Sequence, residues 1–282
     1  MNTRIIEDRL KKYPRSSLED DTQAIREITQ ELILFSLSTS DFFSYAAFQG
    51  GTCLRIVHGL NRFSEDMDFI LKQRDPGFIW QPYLSSIGTT LEQYGYHVEL
   101  QDKSKIDSTV KKAFIKDDSI GKILRLSYAN RQGLPKKIKI KLEIDTNPPG
   151  SGTFETRYLI FPAVSSITTE TLPTLLAGKS HALLCREYEK GRDWYDFLWY
   201  MGNNTPLNYA RLSAALNQAG PWQGLGLSID RNWYISEMKR RINEMDWNLA
   251  KNDVSPFISQ AEQHGLNLWS ADLFMSALQR LP

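Results

Sequence analysis

Apolar residues first recur at helical spacing in SSLEDDTQAIREITQELILFSLSTS, where Ile25, Ile28, Leu32 and Phe35 stand three or four apart. This spacing predicts a helix with one face turned inward. Ser16 or Ser17 can cap it, and Glu19, Asp20 and Asp21 supply the negative first turn that the helix dipole favours. The run DFFSYAAF predicts a further helical turn leading into a strand that ends at the pair Gly50-Gly51, and DMDFIL predicts the next strand. Trp80, Leu84, Ile87 and Leu91 predict a helix over 78–94 that Gly95 stops, followed by the strand YHVELQ.

From Gly121 the pattern changes. KILRLSYA, KKIKIKLEID and FETRYLIF run or alternate with β-branched and aromatic residues, and the turn-formers NRQGLP and NPPGSG separate them. In the second of these, Lys137, Lys139, Lys141, Glu143 and Asp145 share one face, and Ile138, Ile140, Leu142 and Ile144 the other. Such strict alternation predicts a strand with one polar face. Beyond Pro162 helical patterns take over in TLPTLLAGKSHALLCREY, DWYDFLWYM, NYARLSAALNQ, YISEMKRRINEM and DLFMSALQRL. The expected architecture is α+β: an α/β domain over 1–164, then an all-helical domain over 165–282.

Composition narrows the class without choosing a function. The hydrophobic share of 41% and charged share of 24% are those of a soluble globular protein, and a formal charge of +1 argues for no broad nucleic-acid surface. Cys53 and Cys185 stand far apart, which fits neither a zinc site nor a disulfide framework and suits a reducing compartment. The charged start MNTRIIEDRLKKYPR lacks the apolar core of a signal peptide, and no run reaches membrane-span length, so a cytoplasmic protein with no membrane partner is expected.

The candidate chemistry lies in FQGGTCLRIVHGLNRFSEDMDFIL. Two residues apart on a strand, Asp66 and Asp68 point to one face. Like charges held together are costly, and a divalent cation is the usual compensation; all-oxygen ligands suit Mg²⁺ or Mn²⁺. A third carboxylate on a neighbouring strand would complete the set, either Glu143 or, failing it, Asp145. Gly50 and Gly51 permit a tight turn and a close ligand, and Thr52 is read as opening the helix TCLRIVHG, whose first amides attract phosphate. His58 and His181 have no partner at metal-ligand spacing, and Trp194, Trp199 and Trp222 read as packing residues.

GGTCLRIVHGLNRFSEDMDF resembles the corresponding segment of the AbiEii/AbiGii-type nucleotidyltransferase toxins of type IV toxin–antitoxin systems, within the polymerase-beta-like nucleotidyltransferase superfamily. LAGKSHALLCREYEKGRDWYDFLWYM is similar to the family's second block. The resemblance implies a polymerase-beta-like core with a mixed sheet flanked by helices, and a helical lobe closing the cleft. It also implies metal-dependent transfer of a nucleotide from an NTP to an acceptor hydroxyl, with RNA, such as a tRNA 3′ end, as acceptor. Asp66, Asp68 and Glu143 would hold the metal, and Lys179 and Asp193 would join them in catalysis. Gly51, Thr52, Arg62, Ser64, Lys179, Arg192 and Asp196 would contact the nucleotide. The lysine stripe from Lys136 to Lys141 would guide an RNA backbone. The chain would act as the toxin of a toxin–antitoxin or phage-defence pair, with a cognate antitoxin. Transfer to a protein or small molecule, and a non-catalytic nucleotide-binding regulator, are the alternatives.

Overall fold

Ser17 starts the first long helix with a reciprocal cap: its N–H donates to the Asp20 carboxylate at 3.0 Å, and the Asp20 N–H donates to Ser17 Oγ at 3.1 Å. The computed structural model that shows this describes residues 3–13, 17–102, 110–117 and 138–282. The other proposed cap, Ser16, lies outside them, as do the predicted strand KILRLSYA, the turn NRQGLP, and Lys136 and Lys137. The capped helix α2 (Leu18–Ser38) follows a short α1 (Thr3–Leu10) and buries Ile25, Ile28 and Leu32 completely.

Next come α3 (Phe42–Tyr45), β1 (Ala46–Gln49), α4 (Gly50–His58), β2 (Met67–Leu71), α5 (Gln81–Gln93), β3 (Val98–Asp102), β4 (Val110–Asp117), β5 (Ile138–Asp145), β6 (Phe154–Leu159) and β7 (Ser165–Glu170). The strands form one mixed sheet in the order β3-β4-β5-β2-β1-β7-β6. β1 runs antiparallel to β2 and parallel to β7, β2 runs parallel to β5, and β4 lies antiparallel between β3 and β5.

Four local expectations change. α4 begins at Gly50, two residues before Thr52. Asp66 stands immediately before β2 instead of within it. α5 begins at Gln81, after the turn DPGF, with proline in its first turn. Strand β7 lies past the point where strand signals cease in the sequence: its hydroxyl-rich SSITTE reads locally as loop, and pairing of Thr169 with Phe48 of β1 supplies the order. β4, which the sequence pattern left unassigned, is held by main-chain pairing on both sides.

Contacts divide the chain into two compact units, one of Met1–Gly59, Phe63–Pro148 and Thr156–Thr169, the other of Leu60–Arg62, Pro149–Glu155 and Glu170–Pro282. The first has an aromatic core in which Phe42 meets Phe69 edge-on at 5.1 Å and stacks on Trp80 at 5.8 Å. The second contains α6 (Leu172–Cys185), α7 (Gly191–Gly202), α8 (Tyr209–Gln218), α9 (Arg231–Glu244), α10 (Trp247–Val254), α11 (Gln260–Gln263) and α12 (Ala271–Leu278). Its core is also aromatic: Trp247 stacks on Phe274 at 4.2 Å, and Trp194 meets Phe274 edge-on at 5.3 Å. Trp199 and Trp222 likewise pack edge-on, against Tyr200 and Trp233. Among the described residues no helix is long and apolar enough to cross a membrane.

Candidate active site

The segment leading into β2 is fixed by two side chains before its own carboxylates come into play. Gln30, 1% exposed on α2, donates its amide to the carbonyls of Ser64 at 3.1 Å and Glu65 at 3.0 Å. Thr52, fully buried, donates its hydroxyl to the Asp66 carbonyl. Three successive carbonyls are therefore anchored, and Asp66 is presented at a defined position. The Thr52 hydroxyl, expected to meet phosphate, is spent here on the backbone. Gln30 was missed in the sequence, where it stands among the polar neighbours Thr29 and Glu31 and carries no local signal.

Register then sets the carboxylates. Asp68 is paired with Gln49 of β1 on one side and with Glu143 of β5 on the other. Residues opposite one another on adjacent strands share a face, so Asp68 and Glu143 are neighbours across the pair. Asp145 instead pairs with Ile70, and its Oδ1 accepts the Asn147 N–H at 2.8 Å, capping the turn after β5. Of the two candidates left open by the sequence, Glu143 is the one opposite Asp68.

Lys141, two residues before Glu143, turns into this acidic group. Its ammonium lies 2.5 Å from Glu143 Oε2. Half-burial alone would lower its pKa, but the hydrogen bond and charge of Glu143, followed by the charges of Asp66 and Asp68, raise it above the ordinary lysine value. All three carboxylates thus act on the Lys141 ammonium. Among the described residues no three His, Cys, Asp or Glu side chains converge as a ready-made metal cage. The donor chemistry itself, two aspartates and a glutamate, fits a hard divalent cation.

Gly50 places the helix start against Asp68. Its φ of +77° is left-handed, and a Cβ there would overlap Asp68 Oδ2 and lie 3.0 Å from Asp68 Cβ. Gln49, the N-cap residue of α4, makes no side-chain cap and sends its amide to the Phe69 carbonyl at 3.1 Å instead. The first-turn amides around Gly50 and buried Gly51 therefore have no side-chain acceptor from the cap. Replacing Gly50 by alanine should strain the backbone by about 1–3 kcal/mol and displace the Asp68 carboxylate. The expected result is a roughly hundredfold loss of activity, far beyond what the modest fall in melting temperature explains. Wild-type activity in that variant would show that the Gly50–Asp68 approach is incidental.

Of the other predicted residues, Arg62, Lys179, Asp193 and Asp196 lie in the helical unit and form a buried ion network. Arg62 donates from Nε and an Nη to the two oxygens of Asp196, both at 2.6 Å, with Arg62 3% and Asp196 0% exposed. The Lys179 ammonium lies 2.7 Å from Asp193 Oδ1 and 2.7 Å from Asp196 Oδ2. Arg186 approaches Asp193 Oδ2 at 3.1 Å. Burial alone would raise the Asp193 pKa; Lys179, then Lys190 and Arg186, overcome it and hold the carboxyl down at about 2. Burial alone would lower the Lys179 pKa, and Asp193 and Asp196 reverse that. Arg192 points elsewhere: its N–H donates to Asp253 at 3.1 Å, and its guanidinium lies 4.1 Å from the Phe257 ring centre.

The family model described as nucleotidyl transferase AbiEii toxin, Type IV TA system, matches residues 32–276. No curated protein matches the chain. Among solved structures, a candidate nucleotidyltransferase from H. pylori is similar at 15% identity and a TM-score of 0.51, over 93% of this chain and 98% of that one. JHP933 from Helicobacter pylori is similar at 15% identity and a TM-score of 0.50, over 92% of this chain and 94% of that one. At this identity the two structures establish a shared fold.

Proposed function

The chain belongs to the AbiEii family of nucleotidyltransferase toxins of type IV toxin–antitoxin systems, and from that premise we propose that it transfers a nucleotide from an NTP to the terminal hydroxyl of an RNA. In this reaction the acceptor oxygen bonds to the α-phosphorus, the bond from that phosphorus to the bridging oxygen breaks, and pyrophosphate leaves with the electron pair. The observation that supports it is the register of Asp68 with Glu143, with Asp66 facing the same ammonium.

Asp66, Asp68 and Glu143 are the residues that would hold Mg²⁺ or Mn²⁺, which when bound supplies positive charge to the reacting oxygens. Gly50 and Gly51 present backbone amides to substrate phosphate. Lys141 would compete with such a cation for the Glu143 carboxylate, which it meets at 2.5 Å. The alternative role for Glu143 is as the base that takes the acceptor hydroxyl's proton. Lys179 and Asp193 are assigned to the reaction through the family's second block, with Lys179 exchanging one carboxylate for a substrate phosphate. Thr52, Ser64 and Arg62 act through position: Thr52 by anchoring the Asp66 carbonyl, Ser64 by its place in the anchored segment, Arg62 through Asp196. The cognate antitoxin and a role in phage defence follow from the type of system. Of the lysine stripe, Lys139 is exposed and suits an RNA backbone, whereas Lys141 belongs to the carboxylates.

The test is incubation of purified protein and Mg²⁺ with each α-labelled NTP and total RNA, followed by separation of RNA from protein. Label on RNA 3′ ends is expected. Label confined to protein or a small molecule would replace the acceptor, and no consumption of any NTP, even with a cell extract, would remove the reading.

A further inference from the structure

At the end of β2 remote from Asp68, the chain runs into a groove of about 640 Å³ lined by Tyr45, Lys72, Arg74, Phe78, Ile79 and Tyr83 among others. Lys72 stands six positions beyond Asp66, about 20 Å along an extended chain, so the groove is distinct from the carboxylate group. Two features of it suggest a ligand.

The first is aromatic surface left open. Tyr45 is 60% and Ile79 62% exposed, whereas Phe42 and Trp80, close in sequence, are fully packed away. Behind them Phe78 and Tyr83 stack with ring centres 5.8 Å apart and planes within 7°, which makes the wall rigid. The Tyr83 hydroxyl is engaged by Asp41 at 3.2 Å.

The second is cationic charge without an internal partner. The Lys72 ammonium is half-buried and donates to neutral oxygens, the Phe43 carbonyl at 2.6 Å and Thr168 Oγ1 at 3.5 Å. Among the described residues no carboxylate pairs with it. Burial holds its pKa below the ordinary lysine value, with no carboxylate raising it. Arg74 is exposed beside it and, among the described residues, forms no ion pair. The acid lining the groove, Asp75, turns an oxygen to the Gly77 N–H at 2.8 Å.

We propose that this groove binds a segment of single-stranded RNA, with a base stacked on the Tyr45 ring and a phosphodiester held by Lys72 and Arg74. The inference deepens the RNA-acceptor reading and rests on it for the choice of RNA. Open rings take bases only when these are unstacked from a duplex, so a single strand is the form that fits. Two cations are enough to neutralise a phosphodiester link, which carries one charge; a free triphosphate carries more charge than they offset. The site would hold the acceptor strand at a distance from the reacting end.

The test measures fluorescence anisotropy of a labelled oligouridylate of about ten nucleotides on the full chain, without NTP or metal, so that catalysis does not enter. Tyr45→Ala and Arg74→Glu change exposed side chains, and unchanged melting temperature will confirm folding. Each should weaken binding about tenfold, Arg74→Glu with a shallower salt dependence. Absence of binding by the unaltered chain, or equal binding by the groove variants, overturns the proposal. So does uridine monophosphate binding as tightly as the oligomer with the same sensitivity, because the groove would then serve free nucleotides. If oligomer binding depends on the groove but the NTP assay labels no RNA, the transfer reading fails and the groove stands. RNA labelling together with groove-independent binding gives the reverse.

Discussion

Asp68→Asn is expected to reduce nucleotidyl transfer by about a thousandfold or more, with the protein still folded at its usual melting temperature. The substitution keeps size and shape and removes one charge from a group in which three carboxylates act on the Lys141 ammonium. Removing a like charge relieves repulsion, so the folded state has little to lose. The reaction has much to lose, because the charge that positions a divalent cation goes with it. Asp66→Asn should behave alike, and Lys141→Met should differ: without its competing ammonium the carboxylates should bind Mn²⁺ more tightly, readable by titration without any turnover. Transfer by Asp68→Asn within a few-fold of the unaltered chain would remove these carboxylates from the mechanism.

Asp196→Ala is expected to act on stability instead, lowering it by about 3–5 kcal/mol. Its carboxylate is inaccessible to water and holds Arg62 through two hydrogen bonds of 2.6 Å, with Lys179 at 2.7 Å. Truncation leaves two buried cations short of a counter-charge, the costly way to break an ion network. Denaturant unfolding measures the loss, and a change below about 1 kcal/mol would show that the network relaxes into water. Asp193 adds a pH dependence of known sign. Its folded pKa of about 2 lies below the ordinary 3.8, so its contribution is complete above about pH 4 and is lost as pH falls through 2. Asp193→Asn should flatten that acid limb. Activity lost in Lys179, Asp193 or Asp196 variants therefore reads as chemistry only where unfolding curves show the variant folded.

Much of this was open to reading in the chain itself, because the signals are local. The capping residues and acidic first turn of α2 depend on neighbours three residues away, and the alternation of β5 depends on residues two apart. The same is true of the glycine that turns left-handed at the head of α4. The family's two blocks are likewise contiguous in sequence.

What tertiary structure decided is pairing between segments that sequence separates. No local pattern distinguishes Glu143 from Asp145, which share a face of β5; the parallel register with β2 puts Glu143 opposite Asp68. Lys141 reads as one more solvated lysine until that register brings three carboxylates to it. Thr52 and Gln30 become backbone anchors only because α4 and α2 pack beside the segment that precedes β2. SSITTE carries too little apolar periodicity to declare itself a strand, and becomes one because β1 offers a free edge. Hydrophobic spacing fixes which face of an element turns inward; hydrogen-bond register and burial fix which polar side chains then meet, and the candidate site is made of those meetings.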